Sequence, residues 1–349
     1  MDVKQILGID LPIIQAPMAG AQGSALAIAV SNAGGLGSLP CAMLTPDAMR
    51  AELEKIAAGT SRPYNVNFFC HTPPAVDAGR EAAWRLALTP YYREFGIDAA
   101  NIPAGPGRAP FSSESAAILA QFRPAVVSFH FGLPAPELMA QVKSWGATVL
   151  SSATNVAEAI WLEAHGADAI IAQGLEAGGH RGIFLSDDLT TQHGTLALLP
   201  QIVRAVRVPV IAAGAIADAA GVRAALAMGA VAAQVGTAYL LTPEATTSAV
   251  HRAALQGCFA HPAAHHTALT NLFTGRPARG IINRVMRELG PISTLTPAFP
   301  LSTAAIAPLR AAAEKSGSGD FSPLWSGQNA TGCKAIPAAQ LTRELAGLS

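Results

Sequence analysis

Eight short runs of nearly continuous apolar residues recur along the chain, and no other feature restricts the possible folds as much. They are LPIIQAPM (11–18), GLGSLP (35–40), YNVNFF (64–69), AVVSFHFG (125–132), TVLSSA (148–153), AIIAQG (169–174), PVIAAG (209–214) and AAQVGT (232–237). Several lack the polar/apolar alternation of a strand with one wet face. Strands covered on both faces, as in a parallel sheet, read this way. Between the runs lie segments of helical periodicity, such as 46–58, 136–146, 155–166 and 218–229, many of them ended by Gly. Asn155 and Asp218 read as helix N-caps. Eight strands, most followed by a helix, predict an α/β chain folded as a (β/α)8 barrel rather than an open doubly wound sheet. Two Pro- and loop-rich stretches break the rhythm. The predicted organisation is a barrel from residues 1–69 and 125–245, an insertion at 70–124, and a C-terminal lid or substrate region at 246–349. The last helix of that region is free to pack back on the barrel.

Composition narrows the partners. The 349 residues carry 23 Lys plus Arg and 23 Asp plus Glu, a net charge of zero. With no basic excess to neutralise phosphates, a nucleic-acid partner is not expected. Half the chain is hydrophobic, which argues against disorder. No stretch of about 18 residues is apolar throughout, so no membrane span is expected. The N-terminus MDVKQILGIDLPII does not read as a signal peptide. Cys41, Cys70, Cys258 and Cys333 form no CxxC pair, so neither a zinc site nor a disulfide framework is suggested. A cytoplasmic small-molecule enzyme, monomer or homodimer, is the simplest class.

The C-terminal ends of barrel strands carry the chemistry. Here they supply Gln15, Ala16, Pro17, Met18, Gly20, Asn67, His130, Gly132, Ser151, Ser152, Gln173, Gly178, Gly179, His180, Gly214, Ala215, Gln234, Val235, Gly236 and Thr237. None is a carboxylate, which disfavours a metal or a glycosidase pair. Gly214, Gly236 and Thr237 fit a phosphate site in loops leading into helices, or simply tight turns. Gly178 and Gly179 allow close approach of a flat ligand. Gln173 offers a donor and an acceptor to its edge, and His180 suits proton transfer; the alternative is a glycine loop with a surface His. His130 lies between Phe129 and Phe131. Period two places both phenylalanines on one face and His130 on the other, facing either the mouth or the helices. His71, His165, His193, His251, His261, His265 and His266 read as structural or solvated, and Trp84, Trp145, Trp161 and Trp325 as packing residues.

Six segments together, QAPMAG (15–20), SNAGGLGS (31–38), SFHFG (128–132), QGLEAGGHRG (173–182), VIAAGAIAD (210–218) and QVGT (234–237), resemble the nitronate monooxygenases, formerly called 2-nitropropane dioxygenases. NLFTGRPARGIINR (271–284), LRAAAEKSG (309–317) and DFSPLWSGQ (320–328) extend the likeness over nearly the whole chain, and the GGH and SFHFG segments look like the class I branch. The resemblance implies a lidded (β/α)8 barrel that binds FMN and no metal. It also implies detoxifying oxidation of alkyl nitronates, usually propionate 3-nitronate, by O2 to a carbonyl compound and nitrite. It implies FMN contacts from Ala16, Pro17, Met18, Asn67, Gln173, Gly178, Gly179, Gly214, Ala215, Gln234, Gly236 and Thr237. His180 matches the catalytic histidine, as base or orienting group, and His130 the second one. A protonated ring would offset the nitronate's charge. Two positions depart from the pattern: Ala215 replaces a frequent second Gly, and 296–310 has Phe299 and no lysine where some members carry tyrosines and a lysine. The alternative is a flavin reductase taking hydride from NAD(P)H to a quinone or enoyl thioester. A third reading is an idle barrel binding a phosphorylated metabolite.

Overall fold

Each apolar run contains one parallel strand. In chain order these are β1 (Ile13–Gln15), β2 (Gly37–Pro40), β3 (Tyr64–Phe69), β4 (Val126–His130), β5 (Thr148–Ala153) and β6 (Ala169–Gln173), then, after the two-residue β7 (Gly179–His180), β8 (Val210–Ala213) and β9 (Ala232–Val235). The computed structural model describes residues 3–102, 107–260 and 266–348. His261 and His265 lie outside them. The sheet order is β1-β9-β8-β6-β5-β4-β3-β2. A parallel bridge from Ile14 to Leu36, with Gln15 N–H donating to Leu36 O at 2.9 Å, joins the first and last strands into a barrel.

Both faces of these strands are buried, as their composition requires. Val126 joins Ile14, Leu150, Ile171 and Ile211 in the inner cluster, which also takes in Val3, Leu7 and Ile9. Val127 and Phe129 point the other way, against Leu53, Leu119 and Val142 of the surrounding helices. Asn155 and Asp218 cap their helices through Glu158 N–H and Gly221 N–H. The helix after β1, Ser24–Asn32, sits so close to β2 that a Cβ on Gly37 would lie 2.0 Å from Ala27 O. After β9 the chain enters the 3-10 helix Thr237–Leu241 and then the α-helix Ala249–Ala260. Helix Ala338–Leu345 packs beside β1 and β9, with Tyr239 Oη 2.9 Å from Thr342 Oγ1.

The two excursions share one core. Helix Ala78–Glu94 packs on helix Ser302–Lys315 through Trp84, Leu88, Tyr92, Ile306 and Leu309, and Tyr92 Oη donates to Ala305 O at 2.6 Å. Strands β10 (Thr267–Thr270) and β11 (Ala278–Ile281) form a second sheet with β7, which is borrowed from the loop after β6. Among the described residues no helix is long and apolar enough to cross a membrane.

Candidate active site

The strand ends open on a cavity of about 250 Å³. All the residues assigned above to catalysis or cofactor contact line it; Gln15, Gly132, Ser151 and Val235 do not. The inner ends of the strands are braced by polar pairs. Ser38 Oγ donates to Gln15 O at 2.6 Å, and Asn67 Nδ2 donates to Ser128 Oγ at 2.9 Å.

His180 is fixed by its loop before any ligand enters. Gly179 adopts φ +72°, a conformation suited to Gly, and β7 then pairs with β11, so both excursions' shared core holds the loop. The His180 carbonyl accepts from Gln173 Nε2 at 2.9 Å, while Gln173 Oε1 accepts from Gly182 N–H at 2.7 Å. Each end of the Gln173 amide thus makes one bond to this loop, which leaves one N–H and one lone pair on the cavity wall. On the ring, Nε2 lies 2.9 Å from Thr274 Oγ1, whose single proton goes to Arg276 O at 3.3 Å. A backbone carbonyl only accepts, so the Thr274 oxygen accepts from His180 Nε2–H. Nδ1 is then the proton-free nitrogen.

His130 faces inward, sharing a face with Ser128 and Val126. Its Nε2 lies 3.2 Å from His180 O and must donate to it; Nδ1, 3.0 Å from Ser152 Oγ, accepts. Neither nitrogen is left for the cavity. The two phenylalanines do not share a face. The strand ends at His130, and Phe131, at φ +71°, swings its ring inward, 4.5 Å from His130 and 4.9 Å from Phe69, while Phe129 stays among the helices.

At the glycine end, Gly214 (φ +123°) and Ala215 (φ +57°) turn the chain after β8. Among the described residues no acceptor takes the N–H of Ala215, Gly236 or Thr237, all on the cavity wall. The C-terminal segment closes this end: Gly327 N–H donates to Thr237 Oγ1 at 2.9 Å and Asn329 Nδ2 to Ala215 O at 3.1 Å. An alanine in the left-handed region costs about 1–2 kcal/mol, and glycine there returns about 0.4–1 kcal/mol through the unfolded chain. Ala215→Gly should therefore stabilise the protein by about 0.5–1 kcal/mol, read as a higher urea midpoint at constant slope. An unchanged or lower midpoint would refute the strain.

The charge of the cavity is not where the sequence reading put it. Burial pushes His130 down to about 3 and His71 down to about 4. His180 is driven well below the usual range, first by burial, then by the charges of Arg108, His130, Arg276 and His71. The rings are neutral in this pocket, contrary to the expected protonated ring; the positive charge belongs to Arg108 and Arg310, which line the cavity, and to Arg276 beside it. The Arg276 guanidinium packs 4.1 Å from the Phe131 ring centroid and donates to Ile183 O. Phe69, Phe131 and Phe299 surround His180 at 5.4–6.0 Å and shield part of its ring. Several contributors escaped the sequence reading. Arg108 sits in a Pro/Gly-rich loop and carries no motif. His71, taken as structural or solvated, is buried with neither ring nitrogen bonded among the described residues, 4.8 Å from Phe299. Trp325, taken as packing, lines the cavity 5.6 Å from His180. Thr274 stood inside a family-like segment without an assigned role.

Comparison with known proteins gives consistent matches. A family profile described as nitronate monooxygenase matches residues 2–347. A nitronate monooxygenase of Paraburkholderia phytofirmans is 43% identical over 346 residues, 97% of this chain and 92% of that protein. One of Pseudomonas aeruginosa is 43% identical over 348 residues, 98% of this chain and 97% of that protein. Among solved structures, nitroalkane oxidase from Streptomyces ansochromogenes superposes with a TM-score of 0.89 at 39% identity, over 99% of this chain and 96% of that one.

Proposed function

The chain belongs to the nitronate monooxygenase family, and on that premise we propose that it oxidises alkyl nitronates with O2 to a carbonyl compound and nitrite at the cavity above β6, with FMN as the flavin. Propionate 3-nitronate is the substrate the resemblance favours. The observation that carries the reading is His180, held through its ring by Thr274 and through its carbonyl by Gln173 and His130, with Nδ1 free beside an acid-free, cation-lined cavity.

The family is one of flavoenzymes, and the residues fit the group. Gln234 Oε1 is buried at the cavity wall without a hydrogen-bond partner among the described residues, a costly state unless a ligand N–H meets it. The uncommitted N–H groups of Ala215, Gly236 and Thr237 suit a phosphate. Asn67, Met18 and the Gly178–Gly179 backbone would flank the ring system. Bound there, FMN supplies the electron transfer to O2 that no side chain of this site provides.

The chain's own part is positioning and proton transfer. A neutral nitroalkane must lose its α-proton, and His180 Nδ1 is the base. A nitronate is already an anion, so His180 then orients it. His130 and Gln173 hold the His180 carbonyl and so aim the ring; His130 is a positioning residue. The three phenylalanines shield part of the His180 ring, and the guanidiniums offset the substrate's charge. The barrel and the two excursions act as one catalytic body, with 70–124 and 246–349 as its lid.

The purified protein should be yellow and release about one FMN per chain on heat denaturation, identified by its chromatographic mobility against FAD. A colourless protein that cannot be reconstituted with FMN would overturn the reading. Anaerobic mixing with NADH separates it from the reductase alternative, which requires rapid bleaching.

A further inference from the structure

Arg108 has no acid to pair with. It lines the cavity from the 70–124 excursion, with its Nη1 donating to Thr303 Oγ1 at 3.1 Å and its Cζ 5.7 Å from the Phe299 ring centroid. Among the described residues no carboxylate lies within ion-pairing distance of it, nor of Arg276. Burial weakens its hold on its proton, and so does the charge of another cation, Arg310. A half-buried guanidinium in that position loses water without gaining a counter-ion, a cost that an arriving anion removes. The nitronate group itself belongs beside His180 Nδ1. Arg108 is on the wall built by the excursions, against Phe299 and Thr303.

We propose that Arg108 is the specificity-determining residue of this site: its guanidinium binds a second anionic group, a carboxylate, at the end of a short-chain nitronate remote from the reacting carbon. The inference rests on the nitronate reading and adds to it which residue of this chain selects among nitronates. A guanidinium fork suits a planar carboxylate. Phe299 beneath it supplies an apolar floor for the connecting methylenes. The bond from Arg108 to Thr303 brings this cation to the cavity from the other excursion, nearly two hundred residues away in sequence.

The test is the ratio of kcat/KM for propionate 3-nitronate over propyl-1-nitronate, two nitronates that differ in the terminal carboxylate, measured as O2 consumption. The wild type should favour the carboxylate-bearing substrate. In Arg108→Met that ratio should fall by about 30-fold or more, mainly through KM, the usual consequence of leaving one partner of a desolvated charge pair alone. Arg108→Lys should keep part of the preference. An equal loss on both substrates, or an unchanged ratio, overturns the proposal. A second measurement needs no variant: propionate should compete with propyl-1-nitronate at concentrations at which propionamide has no effect, and equal inhibition by the two also overturns it. Failure to oxidise either nitronate would be a different result, since it removes the nitronate reading and this proposal with it.

Discussion

Replacing His180 by Asn should cut the turnover of a neutral nitroalkane by about 10²- to 10⁴-fold, the usual size of a general-base contribution, and cost far less with the preformed nitronate. The asymmetry follows from one proton. Nitroethane must lose its α-proton before it can be oxidised, and His180 Nδ1 is the free ring nitrogen of a neutral imidazole. Ethyl nitronate has already lost it. Asn is shorter and gives up the bond to Thr274, but the bonds from Gln173 and His130 end on the backbone carbonyl of residue 180 and remain. The acid side of the pH profile carries a second signature. Burial and the surrounding cations lower the His180 pKa, so the ring stays neutral and able to accept a proton as pH falls below the ordinary histidine range. The kcat/KM for the nitroalkane, which reports the substrate-free enzyme, should thus not decline at about pH 6.5. Steady-state O2 consumption with nitroethane and ethyl nitronate, each from pH 5 to 9, reads both effects. Equal losses on the two substrates would remove His180 as the base.

How much of this was visible in the sequence depends on the range of the interaction. The eight strands were legible because burial on both faces leaves a local mark, an apolar run ended by Gly or a polar residue, and all eight runs contain a strand. The cavity residues were legible because strand ends in a barrel converge by topology alone. What stayed hidden was set by contacts between distant segments. Phe131 looked like the strand partner of Phe129 until its positive φ turned it inward, and no local residue preference announces that. The Gln173 amide looked wholly uncommitted because Gly182 and His180 fold back onto one side of it only when β7 pairs with β11. His180 looked chargeable because its burial comes from Phe69, Phe131 and Phe299, each in a different segment. Arg108 met the cavity only because two excursions from opposite parts of the chain share a core.

The largest loss of stability should come from Arg181→Met, beneath the same loop. Arg181 is fully buried and donates from Nη2 to Gln173 O at 2.8 Å, from Nη1 to Gly174 O at 2.7 Å and from Nε to Gln192 Oε1 at 2.9 Å. Burial lowers its pKa to about 10, which still leaves it charged near neutrality. The chain of bonds continues from Gln192 Nε2 to Thr154 Oγ1 at 2.8 Å and from that hydroxyl to the buried Glu158 carboxylate at 2.7 Å. Methionine fills a similar volume but donates nothing. Three acceptors then lose their partner, each at about 1–3 kcal/mol, and Glu158 loses the cation nearest in its network. The combined cost is about 3–5 kcal/mol, a large part of the roughly 5–15 kcal/mol that holds a domain folded. Because two of the lost bonds end on the backbone that carries Gln173 and leads to His180, the surviving protein should also hold flavin less tightly. Urea unfolding and the flavin retained after gel filtration measure the two effects. Arg181→Lys, which keeps the charge but not the three-pronged fork, should fall between the variant and the wild type. A loss below about 1 kcal/mol in Arg181→Met would mean that these bonds contribute no more than an exposed pair does.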